Sequence, residues 1–564
     1  MAFSKNGEKS MILNKNNVMS FKKSVNLIPL FLFILILQFN LKAIGQEVEY
    51  PFWGEYKKTP NSDAKQDVWI AIDHLKEGWD WSLPPDTKAS PKGLMGMARV
   101  LNSKSLHSLS ELPKINFECN PIVDIWFHWN TIEAIEGVYD FTTIKNAIDV
   151  SAKRGYGVCI RLMTSRTASA PDWLKSKYQV PSIRSQKKGI EREENYDLAN
   201  PLFHDKYRAL IAAFGKSGIP AMKEVKGLYV GYASPSLGDE GIGPHGLDPD
   251  TVQHVRERLD AWEAITKGFE YKVYMGGNCN YGFSKGFGVR RGFVEMYLYQ
   301  IPSPAIGQTL DERGYLVLNE NCPLIAKESL HGEVNEEYDE KWATPATQNR
   351  YGNSTDSFPY RYFTSSLRML QMRVNLACYS NFTLIPAMIP WMSIEVGRTA
   401  KTAPDAWCFL RESYLKGNAG AVKNFERWVF QRDSPGYETT AVVKINQANK
   451  MHWVEPGKYY DYIARTGDKI GFNVDANFLK GKKQKVAIKI SYIDEGKGEW
   501  RLSFNGVKGT ESRTVKCSDS KKLLTTTFFV KADFNQKKNS GYDFECISEK
   551  GLKPIVSFVR VVKR

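Results

Sequence analysis

The strongest constraint in this sequence is an alternation. Between residues 120 and 390, short apolar runs of β type take turns with amphipathic stretches of helical period. Strand candidates are 122–128, 157–163, 227–233, 272–276, 315–318, 324–326 and 382–389, and helix candidates are 141–154, 205–216, 251–266 and 362–376. Strands alternating with helices imply βα crossovers around a parallel sheet. With an eighth strand upstream, at 68–74 or 95–101, the economical closure is a (β/α)8 TIM barrel, a fold of about 250 residues or more. After Thr440 the texture changes to short alternating runs, 485–492, 499–504, 523–530 and 555–562, separated by Gly, Asn, Asp and Lys turns. That pattern reads as an antiparallel, jelly-roll-like all-β sandwich. Segment 457–475 is read as its entry, and 425–436 as the bridge between the two parts.

Charge sharpens the division. The 564 residues carry 77 Lys and Arg against 62 Asp and Glu, a formal charge of +15. Residues 1–45 hold six Lys and one Glu, so without them 71 minus 61 leaves +10. Residues 441–564 hold 25 basic and 13 acidic groups, or +12, which leaves about −2 for everything between. The basic surface therefore belongs to the C-terminal part. At the N-terminus, Met19-Ser20-Phe21-Lys22-Lys23, the apolar run 27–39 and Ala43-Ile44-Gly45 match the basic, hydrophobic and cleavage regions of an export signal. The run is short for a bilayer span of about 20 residues. The expected organisation is a signal peptide at 1–45, a barrel domain with its bridge at 46–440 and a sandwich at 441–564, in a chain destined for the periplasm or the extracellular space. Eight Cys are scattered from Cys119 to Cys546 without CxxC spacing, and Cys517 with Cys546 is the pair expected to bridge.

Segment 122–140, IVDIWFHWNTIEAIEGVYD, resembles the second βα unit of clan A glycoside hydrolases. Segment 157–174, GVCIRLMTSRTASAPDWL, is similar to the matching stretch of family 42 β-galactosidases, and Asn200-Pro201 with the helix after it also fits. The resemblance covers roughly residues 95–395 and implies two acidic catalytic residues, with no cofactor. One belongs at the end of the fourth strand, where the family has Asn-Glu and this chain has Asp239-Glu240. Cleaving an acetal at neutral pH requires a protonated carboxyl of raised pKa. Glu240 is the candidate acid/base, with Asp239, where the family Asn would bind a sugar hydroxyl, as the alternative acid. The other belongs on the seventh strand. Within 324–338, LIAKESLHGEVNEEY, Glu333 ends an apolar stretch and is the candidate nucleophile; Glu328 and Glu395 are the alternatives, while Glu336 and Glu337 read as solvated helix-start residues. A separation of about 5 to 5.5 Å between the pair would imply retention of configuration.

Sugar faces stack on indoles while planar polar groups take the hydroxyls. Trp129, Trp173 and Trp391 stand near strand ends as platforms, the alternative for each being a buried barrel aromatic. His128, Arg161 and Asn278 are candidates for hydroxyl or sulfate groups. No HExxH and no phosphate-cradling GxxxxGK[ST] motif is present, so metal and phosphoryl-transfer chemistry are not expected. The basic runs near Lys480–Lys485 and at Lys521-Lys522 read as solvated strand edges or as a polyanion surface. The sequence thus implies an exported glycoside hydrolase acting on a β-galactosidic polysaccharide or oligosaccharide, with a sulfated algal galactan as one such substrate. It implies no nucleic-acid partner and no membrane span once the signal is removed. The competing reading is a non-catalytic glycan-binding protein on a barrel scaffold.

Overall fold

The computed structural model describes residues 79–102, 109–187, 190–234, 238–241, 249–277, 279–292, 307–319, 322, 330–334, 358–379, 387–415, 422–446, 459–479, 483–534 and 540–564. The segment read as an export signal and the strand candidates at 68–74 and 324–326 lie outside them.

Eight strands close a barrel: β1 (Leu94–Asn102), β2 (Pro121–His128), β3 (Gly157–Met163), β4 (Val225–Val230), β5 (Val273–Met275), β6 (Gly288–Gly292), β7 (Leu330–Val334) and β8 (Leu376–Tyr379). Each pairs in parallel with its neighbours, and β8 returns to β1 through Leu94 opposite Leu376 and Gly96 opposite Cys378. The (β/α)8 expectation is met, by a somewhat different set of strands. The run 315–318 forms a hairpin with Gln308–Leu310, which closes through Gly314 at φ 84°, and does not join the barrel. Of 382–389, residues 382–386 lie outside the described chain and Ile389 opens a helix with Pro390 in its first turn, a position proline favours. Strand β6, sequence GVRRG, has too little apolar character to show in a hydrophobicity scan.

Helices follow the strands: α1 (Thr142–Lys153), α2 (Pro201–Lys216), α3 (Gln253–Thr266), α4 (Phe358–Gln371) and α5 (Ile389–Glu395). Helix α2 starts where it does because the Asn200 carboxamide accepts from Phe203 N at 3.1 Å and Pro201 needs no hydrogen-bond acceptor. The period of two then sorts each strand between two cores. Val123, Ile125 and Phe127 of β2 pack outward with Ile144 and Ile148 of α1 and with Phe203, Leu210 and Phe214 of α2. Ile122 faces inward with Cys159, Tyr274, Leu376 and Cys378, which plug the barrel. Gly227 is needed in that plug, since a Cβ there would stand 2.5 Å from Cys159 Sγ.

The C-terminal half is one twelve-stranded antiparallel sheet: β9 (Asp405–Leu415), β10 (Val422–Arg427), β11 (Val429–Gln431), β12 (Thr440–Asn446), β13 (Tyr459–Thr466), β14 (Lys469–Val474), β15 (Gln484–Ile493), β16 (Lys497–Gly506), β17 (Gly509–Ser518), β18 (Leu523–Ala532), β19 (Phe544–Glu549) and β20 (Ile555–Lys563). Residues from β9, β11, β14, β16, β19 and β20 share one apolar interior, so the sheet curls into a sandwich around it. Three of its strands precede Thr440. Residues 405–412 of β9 are buried without a break, which removes the half-exposed alternation by which a sandwich strand is recognised. Cys517 and Cys546, the expected bridge, stand on strands flanking β16, opposite Gly498 and Leu502, and both are thiols. Burial pushes the Cys517 thiol up to about 11.

Barrel and sheet share a third core. Trp79 stacks on Phe363 at 4.3 Å, and Trp81 lies 4.9 Å from Trp391, with Trp407, Phe409 and Phe558 of the sheet packed against them. Ion pairs cross it from Arg427 to Glu395 at 2.8 Å and from Lys489 to Asp80, while Arg560 pairs with Asp405 at 2.5 Å on the sheet side. Residues 48–564 accordingly form one compact unit. Among the described residues no helix is long and apolar enough to cross a membrane.

Candidate active site

Above the plug, toward the C-terminal strand ends, the interior turns polar and aromatic. Strand register aligns Trp126 of β2 with Arg161 of β3 and Arg161 with Tyr229 of β4. The Arg161 guanidinium is 2% exposed as a residue, pairs with Asp124 one step below, and lies 4.5 Å from the Tyr229 ring centroid and 6.0 Å from that of Trp126. From the far side, Arg290 of β6 lies 5.4 Å from the same Tyr229 ring and donates to its hydroxyl at 3.4 Å. A buried charge is tolerated where it is paired and stacked. This layer fixes two guanidiniums and a phenol at mid-barrel, a rigid polar floor for whatever enters the mouth.

Three of the carboxylates singled out in the sequence belong to the mouth by chain position. Glu333 is the fourth residue of β7, in register with Gly292 of β6 and with Cys378 of β8, a plug residue. Asp239 and Glu240 fall on Gly238–Gly241, a short strand that pairs antiparallel with Tyr232–Ser234 just beyond the end of β4. The fourth strand therefore ends before the Asp-Glu pair, which is carried by a hairpin that follows it. His128 closes β2 opposite Met163, half-buried. Asn278 and Glu328 lie outside the described residues.

The three tryptophans read as sugar platforms are packing residues or close to it. Trp129 is wholly buried; its indole donates to Glu133 Oε2 at 2.7 Å and its ring meets Phe203 and Trp173 edge-on. Trp173, half-buried, donates to Glu133 O at 3.1 Å. Trp391 is buried in the barrel–sheet core, donating to Asp405 Oδ2 at 3.1 Å. All three were legible as large apolar side chains, but apolar bulk alone does not separate a platform from a core residue.

The same contacts explain the most recognisable stretch of sequence. Glu133 accepts from Gly137 N at 2.8 Å as well as from Trp129, which pins a turn that only Gly137, at φ 76°, makes without strain. Burial raises its pKa. Glu136 takes Lys177, Lys206 and the Tyr178 hydroxyl, and the two lysines chiefly hold its carboxyl down at about 2. The IExxEG motif is thus a joint fastening the loops after β2 and β3. Glu395, an alternative nucleophile, is buried against Arg427 and away from the barrel interior. The floor residues Asp124, Trp126, Tyr229 and Arg290 were missed. A charge inside IVDIWF and two inside GVRRG were their only signals, each read as interruption instead of lining.

Residues 115–216 match the model of glycoside hydrolase family 42, described as beta-galactosidase. No curated protein matches the sequence. Among solved structures the chain is similar to the β-galactosidase of psychrophilic Marinomonas ef1, at 12% identity over 51% of this chain and 54% of that one, TM-score 0.29. It is similar to the cold-adapted β-galactosidase of Rahnella sp. R3, at 14% identity over 34% and 37%, TM-score 0.23. A third likeness is xylanase 10B of Thermotoga maritima, at 13% over 51% and 82%, TM-score 0.27. The chain thus spans about a third to a half of the length of the two β-galactosidases. From the approach to β2 through the last turn of α2, it resembles the family 42 glycoside hydrolases of clan A.

Proposed function

We propose that this protein is a glycoside hydrolase that cleaves a β-galactosidic bond in a polysaccharide or its oligosaccharides with retention of configuration, with Glu333 as nucleophile and Glu240 as acid/base. The observation that carries the reading is the register of Glu333 on the seventh strand of a closed eight-stranded barrel. In such barrels the C-terminal strand ends carry the chemistry. In the first step Glu240 donates its proton to the glycosidic oxygen while a Glu333 oxygen bonds to the anomeric carbon, and the bond to the leaving sugar breaks. In the second, Glu240 takes a proton from water, whose oxygen attacks that carbon and releases Glu333. Arg161, Tyr229 and Arg290 would meet the hydroxyls, or the sulfate ester, of the bound ring from below, with His128 and Asp239 at the rim. The leader at 19–45 supports export to the periplasm or beyond.

The test is kinetics on an aryl β-galactoside. Glu333→Gln and Glu240→Gln should each lower kcat by at least about a thousandfold with unchanged unfolding curves. For an activated aryl leaving group the Glu240 loss should fall mainly on the deglycosylation step. Full turnover in both variants would remove the assigned roles and leave glycan binding without catalysis as the reading.

A further inference from the structure

We propose that the outer face of the C-terminal sheet carries a second carbohydrate site, specific for anionic polysaccharide and separate from the barrel mouth. It is built on Phe529 and a row of three cations. Phe529 is one of the few large apolar side chains left exposed, at 65%, and the Arg564 guanidinium sits 4.3 Å from its ring centroid. Phe529 of β18 stands opposite Ala487 of β15, a side chain small enough to leave the ring uncovered.

One step along the same face, Lys531 stands directly opposite Lys485, and the backbone N–H of Arg564 bonds to Lys485 O at 3.2 Å. Arg564, Lys485 and Lys531 therefore form one row across three adjacent strands, all exposed. Like charges directly opposite in a sheet are destabilising. The other end of this face shows what relieves such a row. There Lys489 and Arg560, aligned opposite each other, are neutralised by Asp80 from the segment before β1 and by Asp405 of β9. No Asp or Glu side chain lies on β15, β18 or β20, and among the described residues no side-chain carboxylate pairs with Lys485, Lys531 or Arg564.

An exposed ring beside three cationic side chains that no acidic side chain pairs is complementary to a chain that offers both an apolar sugar face and regularly spaced sulfate or carboxylate groups. Neutral glycan would leave the cations unmatched, and a bilayer surface would leave the single ring with little apolar area to insert. The site goes beyond the hydrolytic reading and stands whether or not the barrel cleaves anything. If it does, the sheet would hold the polymer while the barrel works on it.

The experiment is native affinity electrophoresis of the full chain toward the cathode, through gels containing κ-carrageenan, polygalacturonate or neutral agarose. Retardation is expected in at least one anionic gel and in none of the neutral ones, weakening as salt rises. Phe529→Ala, and separately Lys485→Glu with Lys531→Glu, should raise the apparent Kd fivefold or more. Lys508→Glu with Lys516→Glu, an equal charge change on the β16–β17 hairpin, should leave it within twofold. Melting temperatures and aryl-glycoside turnover should be unchanged in all of them. An equal loss in the Lys508/Lys516 control, full retention by Phe529→Ala, or binding to phosphatidylglycerol vesicles without binding to either anionic glycan would overturn the proposal.

Discussion

Arg427 reaches from the twelve-stranded sheet to Glu395 on the last described helix of the barrel at 2.8 Å, and its second nitrogen holds the Glu395 and Arg398 carbonyl oxygens at 2.9 and 3.0 Å. Both residues are buried, and burial, reinforced by the neighbouring Asp405 carboxyl, pushes the Glu395 pKa well above the usual carboxylate range. Removing one partner of such a pair strands the other without water. Arg427→Met should therefore cost about 3 to 5 kcal/mol of unfolding free energy in urea.

Glu395→Gln separates structure from chemistry at the same place. As a neutral residue of nearly the same shape it should keep catalytic turnover per folded molecule within about threefold of the parent. A folded Glu395→Gln protein with a thousandfold loss would restore Glu395 as nucleophile candidate and remove Glu333.

His204 and His254, where α2 meets α3, set an acid limit. His204 Nε2 bonds to the His254 carbonyl at 3.0 Å, and burial, then Arg258, lowers its pKa to about 4; burial lowers that of His254 as well. An unfolded histidine binds a proton below about pH 6.5 while this one stays neutral down to about 4, so the unfolded state gains protons first. Stability should fall as pH drops from 6.5 to 4, with His204 contributing on the order of 2 to 3 kcal/mol. In His204→Gln that slope should be visibly shallower in denaturation midpoints taken across the range. An identical slope would mean His204 titrates normally.

Arg161→Lys tests the barrel floor. A lysine keeps the charge beside Asp124 but cannot pair there and lie flat on Tyr229 at once. It should lower kcat/KM by tenfold or more while unfolding shifts by less than about 2 kcal/mol. Equal activity in the folded variant would make the floor a structural plug only.

The barrel was legible because its outer shell obeys simple periods: β2, β3 and α1 fall within one or two residues of the runs that mark them. The second half of the barrel was less so. Strand β6 is short and bears two arginines, and β8, buried on all four residues, sits upstream of the more conspicuous apolar run at 382–389. Glu333 was singled out as a glutamate ending an apolar stretch, and its placement on β7 is a matter of register while its role is what we propose. Trp129, Trp173 and Trp391 show the reverse: a sequence does not record whether an indole N–H finds its acceptor inside the protein. Here all three do, in Glu133 and Asp405. The Phe529 row was out of reach for another reason, since it joins residues 485, 529, 531 and 564 through cross-strand register alone.

Covalent trapping tests the nucleophilic role proposed for Glu333 most directly. The protein would be incubated with an activated 2-deoxy-2-fluoro-β-galactoside, digested, and its labelled peptide sequenced by mass spectrometry. The expected result is one fluorosugar per chain, on the peptide bearing Glu333, formed at the rate at which activity is lost. A label on another carboxylate, or full turnover of unmodified galactoside with no label at any time, would contradict it.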